Sequence, residues 1–160
     1  MSGWPIPLRR ALLAAFAVLA LASVARSRPR PAEHDESAPA LNVLAPVPAT
    51  AMSALRRACF DCHSRDTRWP WYASLPIASR IIERDVTTAR RQLDLSRWTE
   101  YNRFDRADLL DKICQLASTR TMPPWPYRVM HAEARLSTND VAALCAWSQD
   151  EATHLIQEDQ

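Results

Sequence analysis

Four stretches of the chain repeat apolar residues at the three- and four-residue spacing of a helix, and no stretch alternates them as a half-buried strand would. Met52, Leu55, Cys59 and Cys62 follow one another at intervals of three, four and three, which predicts a single helical face ending near His63. Ile77, Ile81, Ile82, Val86, Ala89 and Leu93 form an inward stripe on a helix predicted from about Pro76 to Leu93. A third helix is expected from about Arg106 to Ser118, with Leu109, Leu110, Ile113 and Leu116 inward. The last opens at Ser137, a capping residue with Asp140 three positions on, and continues through Val141, Leu144 and Trp147. With no hairpin signal between them, these elements predict an all-α fold.

The pattern changes ahead of the first of these helices. Residues 1–25 carry Arg9 and Arg10, then an apolar run from Ala11, then the small residues Ser23 and Ala25, the layout of a secretory signal. As a helix, Ala11 to Ala25 would reach roughly 22 Å, short of the ~30 Å hydrocarbon core, so cleavage is expected, with retention as an N-terminal membrane tether the alternative. Either outcome places the remainder outside the cytoplasm, periplasmic or secreted. Residues 26–47 are rich in Pro, Ala and charge without an apolar period and read as an extended linker, in which His34 is expected to be solvated. The domain proper is then 48–157.

Composition narrows the chemistry. The only glycine is Gly3, so the dinucleotide-binding fingerprint, the phosphate-cradling loop and a many-hairpined sandwich lack the residues they need. Net charge is +2, and beyond residue 25 the 18 basic and 18 acidic residues balance, so nucleic-acid binding by phosphate neutralisation is not expected.

Against that background Cys59-Phe60-Asp61-Cys62-His63 stands out as C-x-x-C-H. Two thiols one helical turn apart can bond to neighbouring vinyl groups on one edge of a haem, and the adjacent imidazole can coordinate its iron. By chance such a match would arise in roughly 0.2% of chains of this length and composition. Three other readings fit the same residues less well. Structural zinc normally draws on a second close pair, whereas Cys114 and Cys145 are isolated from each other in sequence. Thiol–disulfide exchange usually places its cysteines at a helix N-terminus in a βαβ setting, not at a helix C-terminal end. A core helix with two small buried cysteines leaves the histidine unexplained.

Two aromatic, proline-rich connectors, "TRWPWYASLP" and "MPPWPY", supply Trp69, Trp71, Tyr72 and Trp125 as candidate walls of a dry cofactor cleft. Met122, held extended before Pro123 and Pro124, is a suitable mount for a thioether ligand, with His131 as its competitor for the same iron position. Cys114 and Cys145, beside Ile113 and Leu144, are expected either to bridge or to stay as two buried thiols.

The segments "CFDCHS", "TRWPWY", "ASRIIERDVTTAR", "LSRW", "TMPPWPY" and "HAEARLS" followed by "ALCAW" resemble a bacterial family of secreted haem-binding domains related to c-type cytochromes. The resemblance covers roughly Leu55 to Trp147. It implies a compact helical cytochrome c-like domain, haem c attached covalently at Cys59 and Cys62, His63 as proximal iron ligand and Met122 as the other axial ligand. The glycine often found near that methionine is absent, with Arg120 and Thr121 in its place. The function expected is electron transfer with a redox partner protein. A haem-based sensor or a small peroxidase-like enzyme with an open sixth position is the runner-up.

Overall fold

Capping side chains set where the helices begin. In the computed structural model, which describes residues 6–25 and 46–157, Asn102 Oδ1 accepts from the Asp105 N–H at 2.9 Å and starts a helix at Arg103, earlier than the apolar pattern indicated. Ser137 Oγ accepts from the Asp140 N–H at 3.1 Å, while Asp140 Oδ2 accepts from the Ser137 N–H at 2.9 Å. This reciprocal pair opens the last helix as its sequence signature predicted.

In chain order the helices are α1 (Ile6–Ala25), α2 (Ala49–Ala58), α3 (Phe60–His63), α4 (Pro76–Gln92), α5 (Arg103–Ser118), α6 (Trp125–Met130) and α7 (Thr138–Gln157). Short 3-10 turns at Trp71–Ser74, Leu95–Glu100 and Ala132–Ala134 join them, and no strand occurs among the described residues. The fold is all-α, as the hydrophobic periodicity required. The chain divides into two compact units, Met1–Pro31 with Trp69–Arg84, and Ala32–Arg68 with Asp85–Gln160. Residues 26–45, which include most of the expected linker and His34, lie outside the described residues.

The second unit holds the core. Ala51, Ala54 and Leu55 of α2 pack with Leu110 and Ile113 of α5, with Leu144 and Trp147 of α7, and with Leu95 and Trp98 of the intervening turn. Leu55, Leu110 and Leu144 are completely buried, each worth roughly 1.5–3 kcal/mol of transfer free energy. A disulfide between Cys114 of α5 and Cys145 of α7, S–S 2.01 Å, staples the two longest core helices and settles the bridging question in favour of the bond. Arg57 ties α2 to the start of α7, donating to Asp140 Oδ1 at 2.8 Å and to the Glu133 carbonyl at 2.9 Å.

In the first unit, α1 exposes Leu12, Leu13, Phe16, Val18 and Leu19. Among the described residues no helix is long and apolar enough to cross a membrane. The stripe expected to face inward along α4 does so only in part. Val86 is buried, but Ile77 and Ile81 are exposed. The core is built by α2, α5 and α7, and only the part of α4 after Arg84 belongs to that unit.

Candidate cofactor site

The sequence predicted one helix through the C-x-x-C-H motif, and the structure divides it. Cys59, with φ −123° and ψ −39°, leaves helical geometry between α2 and α3. The hydrogen-bond ladder nevertheless runs through it: Cys59 N–H donates to Leu55 O at 2.8 Å, and His63 N–H to Cys59 O at 2.8 Å. The result is a kink that keeps Cys59, Cys62 and His63 on one compact turn.

A buried carboxylate inside the motif fixes that turn. Asp61 accepts from Arg68 N at 3.0 Å and Arg68 Nε at 3.2 Å through Oδ1, and from the Tyr127 hydroxyl at 2.6 Å through Oδ2. Its backbone carbonyl accepts from Thr67 Oγ1 at 2.9 Å. Arg90 of α4 adds a second clamp, donating to the Ser64 carbonyl at 3.0 Å and to Thr67 Oγ1 at 2.9 Å. Every polar group of the buried turn named here has a partner, as a low-dielectric position requires. Burial first, then the bond to Asp61, pushes the Tyr127 hydroxyl far above its ordinary value, keeping it a proton donor.

The motif side chains are poised differently from a thiolate centre. Both cysteines are free and partly buried. Burial pushes the Cys59 thiol up to about 12, with Cys62 adding to the shift. Cys62 is pushed up to about 11 by burial, then by Asp61 and Asp85, against the opposing pull of Arg90. Thiol exchange needs a free thiolate, which this environment disfavours. Among the described residues no three His, Cys, Asp or Glu side chains converge as ion ligands.

His63 is partly buried, and its Nδ1 lies 3.0 Å from the Leu93 carbonyl. A carbonyl can only accept, so Nδ1 carries the proton and Nε2 keeps its lone pair for a metal. Burial lowers the His63 pKa, partly offset by backbone bonding to Leu93 and Ala89, so the ring is held neutral. The residues therefore fit a haem: one neutral imidazole nitrogen free to ligate, and two protonated thiols one turn away. Trp98 Nε1 and Trp147 Nε1 lie in the core, and neither has an acceptor among the described residues.

The other expected site residues lie elsewhere. Met122 lines a pocket of about 370 Å³ together with Pro123, Trp125, Val129 and Leu136, and none of Cys59, Cys62 or His63 lines it. The Met122–Pro123 peptide is cis. His131 stacks on Tyr127 at 4.2 Å and holds its Nδ1 3.3 Å from Glu133 Oε1. Trp71 and Tyr72 pack edge to face at 5.7 Å in the first unit, and Trp71 is largely exposed. Reading the sequence missed Asp61, Arg68, Tyr127 and the Leu93 carbonyl. Asp61 had a signal, a carboxylate inside a C-x-x-C. A backbone acceptor thirty residues from its histidine had none.

Fold and motif together define an all-helical domain that sets a neutral imidazole beside two free, protonated thiols. The chain belongs to the haem-binding domain family, whose model matches residues 15–150. It is a haem protein. No curated protein and no solved structure matches it.

Proposed function

We propose that the protein is a c-type cytochrome-like electron carrier working outside the cytoplasm. The observation that carries this reading is the C-x-x-C-H turn itself, with two free protonated thiols and an imidazole whose Nδ1 is engaged by Leu93 so that Nε2 can ligate. Cys59 and Cys62 would bond to the haem vinyl groups, His63 would be the proximal ligand and Met122 the sixth. When bound, haem supplies an iron that accepts and releases one electron without proton transfer.

The chain's own residues hold and tune that centre. Leu93 O, accepting from His63 Nδ1, fixes the ring orientation and raises its basicity toward metal. Asp61, Arg68 and Tyr127 hold the motif turn rigid, so little reorganisation accompanies a change of iron charge. A Met122 thioether would favour ferrous over ferric iron and raise the potential relative to two imidazoles. The stacking of His131 on Tyr127 and its contact with Glu133 give that histidine a structural task, which supports Met122 over it. A redox partner protein and a periplasmic or secreted location, with residues 1–25 as signal or tether, complete the reading.

One observation favours the runner-up, a haem sensor or small peroxidase-like enzyme. Met122 lines a pocket that the motif residues do not share, which suits an exchangeable sixth position.

The test is a pyridine haemochrome spectrum and a denaturing gel on protein matured with haem-attachment machinery. Haem retained through denaturation, and attachment weakened in Cys59→Ala or Cys62→Ala, is the expected result; complete loss of haem from the parent chain sinks the covalent reading. Oxidised protein should show the weak sulfur-to-iron band at the red end of the visible spectrum, lost in Met122→Ala with haem still attached. A parent lacking that band, with His131→Ala alone turning the iron high-spin, would replace Met122 by His131.

A further inference from the structure

The pocket beside Met122 is ringed by positive charge that the haem reading leaves unused. Arg120, Arg128 and Arg135 all line it, and no Asp or Glu does. Arg120 Nη1 donates to the Leu136 carbonyl, and Arg135 Nε donates to the Arg128 carbonyl at 3.0 Å, so two of the three guanidinium groups are oriented by backbone bonds. Both bonds leave further N–H donors on each fork. None of the three has a carboxylate partner among the described residues. Three like charges around one concavity repel one another unless an anion enters, and a guanidinium fork matches a carboxylate bidentately. The remaining lining is apolar, with Pro123 and Leu136 buried at its floor and Trp125 at its rim. Its volume, about 370 Å³, falls in the range of small-ligand sites.

We propose that this pocket receives a carboxylate borne on an apolar group. Two sources share that chemistry: a carboxylate arm of the protein's own haem, or a free aromatic or aliphatic acid. Binding of a carboxylate there does not require haem; only the first source does.

The probe is naphthalene-2-carboxylate, titrated calorimetrically into the haem-loaded full chain, with naphthalene-2-carboxamide as its uncharged counterpart. Arg128→Gln is the chief variant, because no hydrogen bond from the Arg128 side chain supports the fold. Arg135→Gln is the second. If the site takes a free acid, the carboxylate binds at least ~10-fold tighter than the amide, and Arg128→Gln removes that preference. If the haem carboxylate fills the pocket, the haem-loaded chain refuses the probe, and Arg128→Gln shifts the carboxylate-arm bending bands in its resonance Raman spectrum. The haem-free Cys59→Ala/Cys62→Ala chain then binds the probe with the same arginine dependence. Equal affinity for acid and amide overturns the proposal, as does a carboxylate affinity unchanged by both arginine substitutions. Absence of binding in the haem-loaded chain with unmoved Raman bands overturns it as well, whatever the haem-free chain does.

Discussion

Burial acts in opposite directions on the two kinds of side chain in the motif, and in both cases it favours the neutral form. The imidazole of His63 is held below its ordinary 6.5 by burial, and the thiols of Cys59 and Cys62 are pushed from 9.0 to about 12 and about 11. For the haem-free chain with the Cys114–Cys145 bridge intact and Cys59 and Cys62 as thiols, the signs follow by proton linkage. Below about pH 6.5 the unfolded chain protonates its histidine while the folded one resists, so stability falls as pH falls. Above about pH 9 the unfolded chain loses thiol protons that the folded one keeps, so stability falls as pH rises. Denaturant midpoints measured across pH should therefore peak between those limits, and Cys59→Ala/Cys62→Ala should flatten the alkaline side. The same shifts predict slow alkylation. At pH 8 the native thiolate fraction at Cys62 is roughly 100-fold below that of the unfolded chain, and iodoacetamide should react with it correspondingly more slowly.

Among the elements, the ends decide more than the middles. The Ser137–Asp140 pair satisfies N–H groups at the start of α7 that would otherwise lack partners. Ser137→Ala should cost about 1 kcal/mol of unfolding free energy in a urea titration, without changing the slope. At the other end of α5, Arg120 takes φ 59°, the left-handed geometry usually given to glycine. Thr121 N–H then returns to Leu116 O at 3.1 Å and Arg120 N–H to Ala117 O at 3.1 Å, closing the helix. The bond from Arg120 to the Leu136 carbonyl explains why an arginine stands where a glycine would be easier. Arg120→Ala should consequently be less stable than Arg120→Gly by about 1 kcal/mol, since both lose that bond and only glycine relieves the backbone.

At the scale of the molecule, α5 and α7 are joined by a shared core and by one covalent bond. The Cys114–Cys145 bridge closes a 31-residue separation, worth about 3–4 kcal/mol on a chain-entropy account. Removing it as Cys114→Ser/Cys145→Ser should lower stability by that order, read from the denaturant midpoint. Leu144→Ala, in a fully buried position, should cost about 2–5 kcal/mol through the cavity it leaves. If the bridge mattered only to the unfolded chain, the two losses would add; strong non-additivity would show that the bridge also positions α7 against α5.

The amino-acid sequence alone determined the all-α class, the stripes of α5 and α7, the Ser137 cap and the C-x-x-C-H motif. Each depends on residues within a few positions of one another, where helical periodicity and capping chemistry act directly. It did not reveal the kink at Cys59, because a break in helical geometry leaves the hydrophobic spacing of Met52, Leu55, Cys59 and Cys62 unchanged. Nor did it show that Ile77 and Ile81 stay exposed, since periodicity marks a face but not whether another element covers it. Tertiary structure alone decided what touches the motif: Tyr127 reaches Asp61 across 66 residues, and Leu93 O meets His63 across 30. It also chose the disulfide over two free thiols and gathered Arg120, Arg128 and Arg135 around one pocket. These are meetings between distant parts of the chain, and they exist only once the core has brought those parts together.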